Sequence, residues 1–119
     1  MQAVEQKAFA QPDEVRVFEK GKLELVNIRG GVVGRLTLEP GWRWSKHVKP
    51  IAKTDWCEAP HYQYQVCGRL QVVTSDGQKI ETAPGEVVRM GGGHDAWVLG
   101  REPVVLIDWQ GAARYARQE

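Results

Sequence analysis

The sequence predicts an all-β fold of two packed antiparallel sheets, either a sandwich or a small barrel. Three observations lead there. About ten short segments read as strands, several with strict alternation of side chains. Turn signals separate them at intervals of roughly 8–12 residues, the spacing of such folds. No segment carries the apolar repeat of an amphipathic helix.

Taken in order, residues 1–13 form an N-terminal arm without periodicity. Segments 14–19 and 22–28 alternate and are parted by Gly21. Gly30-Gly31 is a turn, 32–39 the third strand, and Pro40-Gly41 its end. Residues 42–48 read as a further extended segment, and 49–60, with two prolines and mixed charge, as a loop. The run 61–67 places His61, Gln63, Gln65 and Cys67 on one face and Tyr62, Tyr64 and Val66 on the other. Either face suits the interior: the aromatic one as core, the amide one as a polar pocket. Asp76-Gly77 marks a hairpin between 69–75 and 79–83. Segments 86–90, 94–99 and 102–110 complete one domain over 14–110, followed by a tail at 111–119.

With 119 residues there is room for one core and no second domain. A net charge of +1 supplies no basic face for nucleic acid. Lys46, Lys49 and Lys53 read as a solvated loop face. No apolar run approaches the roughly 20 residues that span a bilayer. The first residues lack the basic-then-apolar layout of a signal peptide, so a cytoplasmic location is expected. There Cys57 and Cys67 are reduced thiols, and their spacing of ten is not the close pairing of a structural zinc knuckle. Both read as small buried hydrophobes, with Cys67, on the His61 face, also a candidate ligand.

The candidate chemistry lies in the three histidines, His47, His61 and His94. Three neutral imidazoles suffice to hold a divalent metal with positions left open for water or substrate. Gly91-Gly92-Gly93 has no helix after it and reads as a turn that aims His94. Asp55 and Glu58, in the long loop, read as solvated. No serine-nucleophile motif is present, and no motif places a Cys–His pair.

Over residues 32–110 the chain resembles small single-domain members of the RmlC-like cupin superfamily. Gly41 matches the opening glycine of the first cupin motif and His47 its first histidine. Lys49 stands at the second histidine, His61 at the glutamate, and Gly68 at the closing glycine. In the second motif Gly85 and Gly93 match, Gly91 replaces the proline, and His94 comes two places before the usual histidine, where Ala96 stands. A shift of two keeps strand parity, so His94 faces the same side.

The resemblance implies a double-stranded β-helix, or jelly roll, enclosing a metal or small-ligand site. It implies His47, His61 and His94 as metal ligands, for Zn, Fe, Ni or Mn. It turns Gln63 and Gln65 into the pocket, with Trp44, Trp97 and Cys67 around it. It leaves the tyrosines to pack against the second sheet or a partner protomer in a homodimer. The implied functions are a metal-dependent dioxygenase or isomerase acting on a small polar molecule, or a non-catalytic ligand-binding or structural dimer.

Overall fold

A computed structural model of the chain describes residues 4–112. Among these it contains nine strands: β1 (Glu14–Phe18), β2 (Gly21–Ile28), β3 (Gly31–Leu38), β4 (His61–Cys67), β5 (Arg69–Thr74), β6 (Lys79–Thr82), β7 (Val87–Met90), β8 (His94–Leu99) and β9 (Val104–Asp108). They form a six-stranded sheet in the order β1-β2-β3-β9-β4-β7 and a three-stranded sheet in the order β6-β5-β8. Every pairing between them is antiparallel. The tail expected at 111–119 falls, after residue 112, outside the described residues.

Alternation decides which side chains meet. Leu23, Leu36, Leu106 and Gln65 are register partners across β2, β3, β9 and β4, so they stand in one row facing inward. Leu70 and Val72 on β5, with Ala96 and Val98 on β8, face them from the smaller sheet. Each fully buried leucine contributes about 1.5–3 kcal/mol of transfer free energy. The two sheets are also joined by a polar link. Gln65 Nε2 donates to the carbonyls of Gly68 (2.7 Å) and Thr82 (3.0 Å), and the Thr82 hydroxyl donates to Gln65 Oε1 (2.5 Å). Gln65 is 1% exposed, so only this saturation makes its burial tolerable.

The segment expected to be extended at 42–48 is a correction: it holds a one-turn helix, α1 (Trp44–His47), followed by α2 (Lys49–Ala52). Gly41, at a φ of +90°, turns the chain out of the sheet before it. Trp44, His47 and Val48 then recur at i, i+3 and i+4 and bury one helical face. Ser45 N–H donates to Asp95 Oδ1 at 3.0 Å, which ties α1 to β8. The arm before β1 lies along β2 and β3. Asp13 accepts from Asn27 N–H at 2.7 Å, and the Arg35 guanidinium sits 5.0 Å over the Phe9 ring.

Candidate metal centre

His61 opens β4 and points inward with Gln63 and Gln65, all buried. His94 opens β8 and is buried in phase with Ala96 and Val98. Their rings meet edge-on, with centroids 5.2 Å apart. The third member is Cys57, which approaches from the loop after α2. Cys57 N–H donates to the His94 carbonyl (2.8 Å) and Gly93 N–H donates to the Cys57 carbonyl (2.7 Å). The glycine run makes this staple possible. A Cβ on Gly92 would lie 2.6 Å from the Glu58 carbonyl oxygen, and Gly93 has a φ of +91°.

Cys57, His61 and His94 thus offer one sulfur and two nitrogens, all within 4.8 Å of one another and all buried. Cys57 Sγ is 3.9 Å from His61 Nε2. Ligand atoms of a tetrahedral zinc site stand about 3.3–3.7 Å apart by the usual bond lengths, so a contraction of about 1 Å closes the set. The outer nitrogens are already engaged. His61 Nδ1 lies 2.5 Å from Asp108 Oδ2, and His94 Nδ1 lies 3.0 Å from the Gly91 carbonyl oxygen. Each Nδ1–H donates outward and turns Nε2 toward the centre, the arrangement that metal-binding histidines adopt.

Asp108 is itself held, accepting from the backbone N–H groups of Tyr62 (3.2 Å) and Gln110 (3.0 Å). Burial raises the Asp108 carboxyl, but the His61 hydrogen bond outweighs it and the net shift is downward. Burial works against the His61 imidazolium, yet Asp108 and then Cys57 lift it to about 9. Burial likewise raises the Cys57 thiol, and the hydrogen bonds from His61 and His94 bring it down to about 6. Each shift thus favours the charged form of its group, the thiolate on Cys57 and the imidazolium on His61, and each is partly caused by the other. The donor set fits a borderline-soft divalent ion, since thiolate and imidazole together suit Zn²⁺ and Fe²⁺ better than Mn²⁺.

Behind the cluster lies a cavity of about 30 Å³. Trp42, Trp44, Leu70, Val72 and Leu106 are among its walls, with the Gln63 side chain beside the histidines.

Of the residues the sequence singled out, His61 and His94 are brought together, with Gln63 and Trp44 at the cavity. The other four lie elsewhere. His47 is built into α1: its Nδ1 accepts from Arg43 N–H at 3.0 Å, and its Nε2 faces Glu19 at 3.3 Å. Helical rather than extended backbone at 44–47 is what carries it there. Gln65 joins the sheets through Thr82. Trp97 has the opposite parity to His94 and stacks under the Arg43 guanidinium at 4.1 Å. Cys67 follows a register shift between β4 and β9 and points its thiol at the Pro103 carbonyl, 3.6 Å away.

Sequence reasoning missed Cys57 as a site residue and Asp108 altogether. For Asp108 a signal existed, because it continues the buried phase of Val104 and Leu106 on β9. Asp55, whose side chain is 93% exposed, and exposed Glu58 supply no carboxylate to the site.

No family model matches the chain, and no curated protein matches it. Solved structures do. A Klebsiella pneumoniae protein with a double-stranded β-helix domain matches with a TM-score of 0.53 and 16% identity, over 79% of this chain and 80% of that one. A protein of unknown function from Acinetobacter matches at 0.56 and 11%, over 85% and 98%. Bacillus subtilis oxalate decarboxylase, described elsewhere by its Mn(II) centres, matches at 0.51 and 23%. That match covers 85% of this chain and only 27% of the decarboxylase. These likenesses show the fold: a double-stranded β-helix domain.

Proposed function

We propose that this protein is a metal-binding cupin domain whose ion is held by Cys57 Sγ, His61 Nε2 and His94 Nε2. One observation carries the reading: three buried donor atoms within 4.8 Å, with both histidines oriented from behind by Asp108 and Gly91. Zn²⁺ or Fe²⁺ is the ion these donors favour. With three protein ligands, a bound ion supplies Lewis-acid chemistry at an open position. The chain's own part is to place the donors, keep His61 in one tautomer and exclude bulk water from the centre.

A ligand-sensing role is favoured over turnover by the cavity itself. Among the described residues its titratable walls are the three donors, so none of them offers a separate general base. Dimerisation fits the outer face of the large sheet. There Tyr62, Tyr64, Val66, Val87 and Trp109 are between 39% and 61% exposed, with Tyr64 opposite Val87 in register. A second copy of the chain covers them in this reading.

Elemental analysis of untagged protein tests the centre. Near-stoichiometric metal is expected in the wild type and in His47→Ala, and its loss in Cys57→Ala, His61→Ala and His94→Ala. A wild type that stays empty after incubation with Zn²⁺ and Fe²⁺ sinks the reading.

A further inference from the structure

The cavity beside the cluster limits what the site can hold. It measures about 30 Å³, and on the same kind of measure one water needs about 10–15 Å³. Two or three non-hydrogen atoms fill it. Its walls do not invite expansion: Trp42, Trp44, Leu70, Val72 and Leu106 are each at most 3% exposed and belong to the packed core. Close-packed interiors resist such enlargement.

Two wall residues are out of the ordinary. Trp42 is 2% exposed, and its indole Nε1 is one of two buried polar atoms without a hydrogen-bond partner among the described residues. A buried N–H of this kind is an acceptor's natural partner. Among the described wall residues Met90 is the one that is not fully buried. It sits on β7, the edge strand of the large sheet, directly opposite His61. An unbranched thioether is the side chain best suited to swing aside.

We infer that the site takes a ligand of two or three non-hydrogen atoms ending in an oxygen or nitrogen acceptor, of the size of dioxygen or azide. It enters past Met90 and accepts a hydrogen bond from the Trp42 indole. Carboxylates larger than formate, and sugars, are too large for it. The inference rests on the metal-centre reading only for what lies at the cavity's polar end.

Azide and benzoate are the probes, followed through the visible absorption of Co²⁺-loaded protein. Azide is expected to shift the spectrum saturably and benzoate to leave it unchanged. Trp42→Phe keeps an aromatic wall, smaller than the indole and without its N–H, and is expected to weaken azide about tenfold. Met90→Trp, at the strand edge, is expected to slow azide entry at least tenfold. Benzoate binding as tightly as azide, or azide binding unaltered in Trp42→Phe, overturns the inference.

Failure of Co²⁺ to load would count against the metal reading and not against the cavity. Xenon binding to metal-free protein, followed by ¹²⁹Xe NMR, then decides. Saturable binding that Met90→Trp slows supports the inference, and no binding overturns it.

Discussion

Asp108 and His61 make a short buried contact, carboxylate oxygen to ring nitrogen at 2.5 Å, with both side chains at most 5% exposed. The bond joins β9 to β4 and fixes which imidazole nitrogen faces Cys57. Asp108→Asn removes the charge that makes His61 a strong donor, so affinity for Zn²⁺ is expected to fall about 10–100-fold. Competition with a chromophoric chelator measures this. An affinity within about twofold of wild type would remove Asp108 from the site.

Metal binding should depend on pH in a defined direction. His61 is held up to about 9 and Cys57 down to about 6, and both must be deprotonated to coordinate. Between those values the ion displaces one proton, from His61, so affinity rises about tenfold per pH unit. Below about 6 Cys57 must also lose its proton, and the dependence steepens. Above about 9 it levels off. Calorimetric titrations in buffers of different ionisation enthalpy count the protons released, and a count of zero near neutrality contradicts the assignment.

In the metal-free chain the same two groups act on stability in opposite senses. His61, raised from 6.5, stabilises fully below that pH and loses its contribution as pH climbs through about 9. Cys57, lowered from 9.0, contributes fully above that pH and loses it as pH falls through about 6. Denaturant melts of wild type across this window should therefore change little. In Cys57→Ser stability should fall as pH rises toward 9, and a profile as flat as wild type would contradict the pairing.

His47 is expected to matter for stability and not for metal. His47→Ala leaves Arg43 N–H without its acceptor and empties a buried volume, at a cost of about 2–4 kcal/mol. The melting temperature should drop while metal content stays at the wild-type level. Metal lost from a folded His47→Ala protein would return His47 to the ligand set.

Tyr64→Glu puts a charge in the centre of the exposed outer row of the large sheet. Light scattering should show the mass of two chains for wild type and of one for the variant. A monomeric wild type would leave that row to another partner.

Much of this was legible in the sequence. Strict alternation in β4 sorts its side chains into two faces, because a strand's side-chain period is two, and the even step from His94 to Ala96 keeps His94 on one of them; which face turns inward came from the family resemblance and not from the alternation. What alternation cannot convey is backbone that leaves the sheet. Trp42, Trp44 and Lys46 mimic a strand, and only burial of Trp44, His47 and Val48 together shows the helical turn. Cys57 was hidden for another reason. Its place depends on a loop meeting a glycine run far along the chain, a tertiary fact without local signature.

The backbone staple between Cys57 and Gly93-His94 has a consequence for how the protein would acquire its ion. The sulfur and one imidazole are delivered by the same two hydrogen bonds, and the second imidazole by a strand that pairs with neither. An unfolded chain therefore holds Cys57 and His61 four residues apart but His94 far from both, and the three donors meet only when the loop has docked on Gly93-His94. Under the metal-site proposal, full binding would then come late and act as a check on assembly: an ion would be retained only by molecules whose loop has closed, and would lock that closure by mass action.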